Sequence, residues 1–347
     1  MNSFTTTGYS VAVIGCTGAV GQEMITSLHR RQFPVASLSL FASERSAGKN
    51  ISTPYGEITI TLFSVEAART CDVVFLAVSG SFAKEHAKNI AAQPGGSVVI
   101  DNSSAFRYDD DIPLVVPEIN CEAAEGKTLI ANPNCTTAIA AVVLWPLHQA
   151  YGLERVIVST YQASSGAGAA GMAELREGTK SVLDGGKCPA ETFAHPLAFN
   201  VIPHIDSFQE NGYTREELKV MWEMRKIFGV ADLPVSCTAV RVPTLRAHAE
   251  SIVIETTKEI NADAARELLR SAPGVQVKDD VSANVYPMPL SASGCDDVEV
   301  GRIRQSLIFG NKGLELFVCG DQLLKGAALN AIQIGEEMHK RGWLNKN

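Results

Sequence analysis

The stretch GCTGAVG, residues 15–21, constrains this chain more than any other. It follows a short apolar run, SVAVI at 10–14, and precedes a helix-like stretch, QEMITSLHRR. Glycines at such a turn let it close tightly and let backbone amides approach a pyrophosphate, and the helix start adds favourable partial charge. The residues of that cradle are Thr17, Gly18, Ala19, Val20 and Gly21. The spacing is G-x-x-G-x-x-G, not the standard G-x-G-x-x-G, and a plain strand-to-helix turn is the alternative. The strand–turn–helix context favours the phosphate site.

The rhythm that follows agrees with a dinucleotide fold. SLSLFAS (37–43), CDVVFLAV (71–78) and SVVID (97–101) read as strands, with a helix at about 82–92. YGEITITLF (55–63) alternates like one half-buried strand. Strands alternating with helices imply a parallel sheet covered on both faces. After residue 133 the pattern changes. TAIAAVVLW starts a helix, ERVIVSTYQA is a strand, and REELKVMWEMRKIFG (215–229) is an amphipathic helix ending at Gly229. CTAVRV, SIVIETT, RIRQSLIF and LELFVC are further strands, with ADAARELLRSA as a helix among them, which suggests a mixed sheet. The expected class is α/β: an N-terminal Rossmann-like parallel sheet plus an α+β catalytic and dimerisation domain with a mixed sheet. The expected boundaries are 1–133 for cofactor binding and 134–321 for catalysis and dimerisation. A C-terminal helix over about 322–347 is expected to pack back on the first domain. A length of 347 residues suits two domains.

Composition narrows the partners. Net charge is −8 and no Lys/Arg cluster is present, which argues against nucleic acid. No apolar stretch reaches the length of a membrane span, and the start lacks a basic n-region, so a cytoplasmic protein is expected. The eight cysteines are scattered without zinc spacing, so no metal is expected and most should be free thiols.

One cysteine stands apart. In NPNCTT, Asn134 is a plausible helix N-cap, which puts Cys135 in the first turn, where helix-end amides favour a thiolate. A buried helix-start cysteine fits the position equally well. The rest of the chain tips the balance. Of seven histidines, His248 sits in RVPTLRAHAE (241–250), between two strands, with Arg241 before it and Glu250 after. Arginine grips carboxylates bidentately and histidine moves protons near neutral pH. At the end of the second strand, Glu44 suits a free ribose hydroxyl, whereas Ser43, Arg45 and Ser46 suit the 2′-phosphate of NADP. An arginine between two hydroxyl residues favours NADP, with use of NAD left open.

GCTGAVG, ASERSAGK, DNSSAFR, NPNCTT, YQASSGAG, EELKVMWEMRKI, RVPTLRAHAE and GDQLLKGAALNA occur in order from residue 15 to about 331. Together they make the chain resemble the aspartate-semialdehyde dehydrogenases. The resemblance implies NADPH-dependent reduction of L-aspartyl-4-phosphate to L-aspartate 4-semialdehyde with release of phosphate. That step lies on the route to diaminopimelate, lysine, threonine, methionine and isoleucine. It further implies that Cys135 forms a thioester, His248 is the acid/base group and Gln162 orients or polarises the acyl carbonyl. Arg241 would hold the α-carboxylate, Glu216 the ammonium, and Lys219 and Arg107 the phosphate. Ser165, Gly166 and Gln322 would lie by the nicotinamide, and a homodimer is implied. The alternatives are a related acylating reductase, such as an N-acetyl-glutamyl-phosphate reductase, and a catalytically silent binding module.

Overall fold

Strands that are apolar throughout must be covered on both faces. The first such strand is β1 (Tyr9–Ile14), followed by α1 (Ala19–Arg30) and β2 (Val35–Ala42). Next come β3 (Asn50–Thr53), β4 (Gly56–Thr59), β5 (Thr61–Leu62), α2 (Val65–Arg69) and β6 (Val73–Leu76). They are followed by α3 (Gly80–Ala91), β7 (Val98–Asp101), α4 (Pro117–Asn120) and β8 (Leu129–Ala131). The computed structural model describes Phe4 and residues 7–344. The chain forms two compact units, one of Met1–Pro133 with Ala327–Asn347 and one of Asn134–Gly326.

In the first unit a six-stranded sheet has the order β5-β2-β1-β6-β7-β8, parallel throughout. Every residue of β6, VVFL, is fully buried. The order reverses beside β1, the switch point where such sheets open a crevice at their carboxyl ends. The 55–63 segment is not one strand. Residues 56–59 pair with β3 in a separate two-stranded ribbon, while Thr61–Leu62 joins β2 at the edge of the main sheet. Ile60, 2% exposed, is the pivot between them. Both pieces keep the same alternation, so a period of two cannot say which strand each will pair with.

The second unit begins with α5 (Cys135–Tyr151), β9 (Leu153–Gln162), α6 (Gly168–Leu183), α7 (Arg215–Phe228), β10 (Val235–Arg241) and β11 (His248–Thr256). It continues with α8 (Ala262–Arg270), β12 (Val275–Val277), α9 (Pro289–Ala292), β13 (Val298–Ser306) and β14 (Gly310–Gly320). Its sheet, β10-β9-β11-β14-β13-β12, is mixed: β9 runs parallel to β10 and antiparallel to β11. Helices α5, α7 and α8 pack on this sheet. Away from them, Ile157 and Tyr161 are 42% and 40% exposed, Tyr161 beside the Phe317 ring.

α6 has no counterpart among the elements read from the sequence. Residues 164–167 form a 3-10 turn that leads into sixteen residues of helix. Its glycines lower helix propensity, but two of them sit where a side chain would collide. A Cβ at Gly171 would lie 2.5 Å from the Ser164 carbonyl oxygen. One at Gly178 would lie 2.7 Å from Cys188 Sγ. The expected helix from about 322 is also corrected. Leu324–Ala328 form a single π-helical turn, and only then does α10 (Leu329–Lys340) begin, in the first unit.

Candidate active site

The first unit carries the dinucleotide cradle. Gly15 has φ +84°, and a Cβ there would lie 2.2 Å from the Ala77 carbonyl oxygen. A Cβ at Gly21 would lie 2.3 Å from the Gly15 carbonyl oxygen. Only glycine fits either place. Gly18 caps α1 with no side-chain bond to the helix start, so the first amides, from Ala19 and Val20 onward, remain available to an anion. Thr17, Ser43, Glu44, Arg45 and Ser46 line one cavity of 660 Å³. Donors and shape therefore fit a nucleotide. Arg107, also in this unit, is buried and donates to the Asn102 carbonyl.

The second unit gathers the other expected residues on the helix-covered face of its sheet. Arg241 of β10 stands opposite Gln162 of β9. His248 opens β11 beside them, paired on its other side with Gly320. One step back along the strands, Glu250 faces Thr160. Asn134 caps α5, its side-chain oxygen accepting from the amides of Thr136 and Thr137 at 3.0 and 3.4 Å. Cys135 is thereby fixed as the first residue of a seventeen-residue helix. It is one of three half-buried thiols, the other five being buried. The Arg241 guanidinium lies within electrostatic reach of it.

A hydrogen-bond network joins these groups. Gln162 Nε2 donates to Thr136 Oγ1 at 2.7 Å and to Glu216 Oε1 at 3.1 Å, while its own carbonyl oxygen is buried without a partner. Asn134 Nδ2 donates to the same Glu216 oxygen at 3.0 Å. Lys219 Nζ donates to Glu216 at 3.1 Å and to Asp206 at 2.6 Å. Burial alone would raise the Glu216 carboxyl, but Lys219, Asn134 and Gln162 outweigh it and hold the group ionised. Burial would lower Lys219, and the two carboxylates more than offset that.

His248 is fully buried. Burial first, then the Arg241 charge, holds it well below 6.5. Its Nδ1 accepts from the Ala163 amide at 3.1 Å, so the neutral ring carries its proton on Nε2, which has no partner. Gly166 leaves that side open. A Cβ at 166 would sit 2.7 Å from Arg241 Nη1 and 3.4 Å from His248 Nε2. Ser165 and Gln322 are hydrogen-bonded to each other, and the Gln322 carbonyl accepts from Ala247 at 2.8 Å. A Cβ at Gly326 would sit 2.6 Å from Cys135 Cβ.

Comparison with known proteins gives this arrangement its kin. Residues 10–127 match the family described as semialdehyde dehydrogenase, NAD binding domain, and residues 144–325 match semialdehyde dehydrogenase, dimerisation domain. An aspartate-semialdehyde dehydrogenase of Synechocystis sp. is 46% identical across 96% of this chain and 98% of its own length. That of Aquifex aeolicus is 47% identical across 96% and 99%. The chain belongs to the aspartate-semialdehyde dehydrogenase family. Among solved structures, aspartate semialdehyde dehydrogenase II from Vibrio cholerae, complexed with ASA, superposes with a TM-score of 0.91 at 40% identity. It covers 96% of this chain and 99% of its own.

Within this family member, sequence reasoning missed several groups. Glu223 accepts from the Asn134 amide at 2.5 Å. It lies seven residues after Glu216 on α7, a spacing that puts both on one helix face, so a signal existed. Asp206 had none, being in an irregular loop. Phe193, whose ring lies 5.7 Å from the Arg241 guanidinium, was equally silent. Its segment is pinned by Glu174, whose carboxylate accepts from the amides of Glu191, Thr192 and Phe193.

Proposed function

We infer that this chain reduces L-aspartyl-4-phosphate to L-aspartate 4-semialdehyde with NADPH, through a thioester on Cys135. The observation that carries the reading is the placing of Cys135 at the capped start of α5, between Asn134 and Thr136, which are hydrogen-bonded to Glu216 and Gln162, while Arg241 and His248 meet at Ala163. The relatives named above carry the one activity, so the N-acetyl-glutamyl-phosphate reductase reading loses its ground.

The thiolate of Cys135 attacks the acyl carbon, a carbon–sulfur bond forms, and phosphate leaves. Thr17, Gly18, Ala19, Val20 and Gly21 of the first unit would hold the pyrophosphate of NADPH, with Ser43, Arg45 and Ser46 toward its 2′-phosphate, and the cofactor would supply the hydride. His248 Nε2–H hydrogen-bonds the oxygen that gains negative charge as the acyl carbon is reduced. The carbon–sulfur bond then breaks, freeing the aldehyde and the thiolate. Arg241 takes the α-carboxylate, Glu216 the ammonium and Lys219 the phosphate, and Arg107 is the first unit's own cation for phosphate. Ser165 and Gln322 hold Gly166 in place, where the lack of a side chain keeps room for the nicotinamide and acyl carbon. The role first expected for Gln162, polarising the acyl oxygen with its amide nitrogen, needs that nitrogen to leave Thr136 or Glu216.

No helix among the described residues is long and apolar enough to cross a membrane, and none of their His, Cys, Asp and Glu side chains cluster to hold a metal. Free thiols throughout support a cytoplasmic setting. The test is the reverse reaction: L-aspartate 4-semialdehyde, phosphate and NADP⁺, followed by absorbance of the reduced nicotinamide. Turnover by the wild type and none by Cys135→Ala is the expected result. Turnover that survives Cys135→Ala would overturn the thioester route.

A further inference from the structure

Asp321 follows the last residue of β14 and is fully buried. Its carboxylate gathers three separate segments of the second unit. Oδ2 accepts from Arg246 Nε at 2.6 Å and from the Gly294 amide at 2.7 Å. Oδ1 accepts from the amides of Leu323 and Leu324 at 3.0 and 3.3 Å. An ionised carboxylate offers about four acceptor positions, and here all of them are filled.

None of these partners reacts, but two of the segments adjoin the reacting groups. The Arg246 bond fixes the loop of residues 242–247, which leads into His248. In that loop the carbonyls of Thr244 and Leu245 accept from the amides of Ser164 and Ser165 at 2.9 and 3.2 Å. The Leu323 and Leu324 bonds fix the turn that carries Gln322, which bonds Ser165 and accepts from the Ala247 amide at 2.8 Å. Ala247 has φ +66°, a left-handed conformation uncommon outside glycine. Such a conformation persists where its surroundings over-determine it. Ala247 is tethered at its own amide by Gln322 and, one residue earlier, through Arg246. It is the last residue before His248, so its backbone angles set where the imidazole points. Cys135 is held separately, by the Asn134 cap of its own helix.

We propose that Asp321 is a positioning residue for the reduction step: it locks the 242–247 loop to the Gln322 turn and so aims His248 Nε2–H beside Gly166, while acylation of Cys135 proceeds without it. This rests on the reaction inferred above.

The experiment separates the two halves of the reaction in wild type and Asp321→Asn. Asparagine matches aspartate in size but replaces one oxygen's acceptor positions with donors, which oppose the N–H groups they meet. Acylation is read as the burst of phosphate released from L-aspartyl-4-phosphate without cofactor. Reduction is read as single-turnover oxidation of NADPH by the thioester so formed. Acylation should keep its rate within about twofold and reduction should slow about tenfold or more, the scale of a hydrogen bond to a charged group. A loss of folded protein shrinks the burst without separating the two rates. Arg246→Lys, at a side chain 29% exposed, serves if the asparagine variant does not fold. It keeps the charge, loses the Nε donor and should show the same split at smaller size. Equal slowing of both steps, or no slowing of reduction, overturns the proposal. A wild type that gives no phosphate burst or oxidises no NADPH defeats the inferred reaction instead. Asp321 is then judged by hydrogen exchange in Asp321→Asn. Faster exchange confined to residues 163–166, 242–247 and 321–326 sustains the positioning role, and unchanged or uniformly faster exchange overturns it.

Discussion

His248 and Glu250 stand two residues apart on one face of β11, and burial shifts their pKa values in opposite directions. His248 is held neutral well below 6.5. The acid limb of kcat/KM should therefore lie well below pH 6.5 for this group, and a limb near 6.5 that vanishes in His248→Ala would contradict the assignment. His248→Ala should cost about 10²–10⁴-fold in rate. Glutamine at 248 still offers an N–H and should recover part of the loss. Stability follows from the sign: the depressed value contributes stability above 6.5, which is lost as pH falls toward the folded value.

Glu250 is the mirror case. It is fully buried, neither oxygen has a partner, and burial raises it well above 4.5. The native protein keeps this proton while the unfolded chain gives it up, so the contribution is whole below 4.5 and declines as pH rises toward the folded value. Glu250→Gln mimics the protonated form. Its denaturant midpoint should gain on the wild type between pH 5 and 8, and a midpoint difference that does not change with pH would refute this account.

At the level of elements, local chemistry marks some boundaries and tertiary contacts decide others. α5 starts where Asn134 can accept from its own helix, and α7 opens on a full capping box between Thr214 and Glu217 and closes on Gly229 in the left-handed region. Such signals are written in a few adjacent residues, so they are legible without a structure. Asn134→Ala should lower stability by about 0.5–2 kcal/mol from the lost cap. It should also loosen Glu216, which loses one of its donors, and a thermal midpoint equal to wild type would count against this. The division of 55–63 between two sheets and the helix over 168–183 were not legible, because pairing partners and the close approaches at Gly171 and Gly178 exist only once the backbone has folded. The same contrast runs through the site. Cys135, Arg241 and His248 could be picked out by their chemistry and setting, whereas Asp206 gains meaning only from the Lys219 ammonium it shares with Glu216.

For the whole molecule, the question is what covers the open face of the mixed sheet. Ile157 and Tyr161 are exposed there, Tyr161 beside Phe317, and the matched family domain is described as one of dimerisation. We propose this face as the homodimer surface. Ile157→Glu with Tyr161→Glu should convert the dimer to a monomer in sedimentation. A variant that still sediments as the wild-type dimer would place the interface elsewhere.

Two positions in the second unit act by having nothing on them. Gly166 borders Arg241 and His248, and Gly326 borders Cys135. One added methyl at either would push on the reacting groups while leaving every ionisable side chain intact. Alanine scanning, which treats alanine as the neutral baseline, is therefore inverted here: at residues 166 and 326 alanine is the bulky probe. Attempts to widen the range of acyl groups accepted must find their room at other walls of the site.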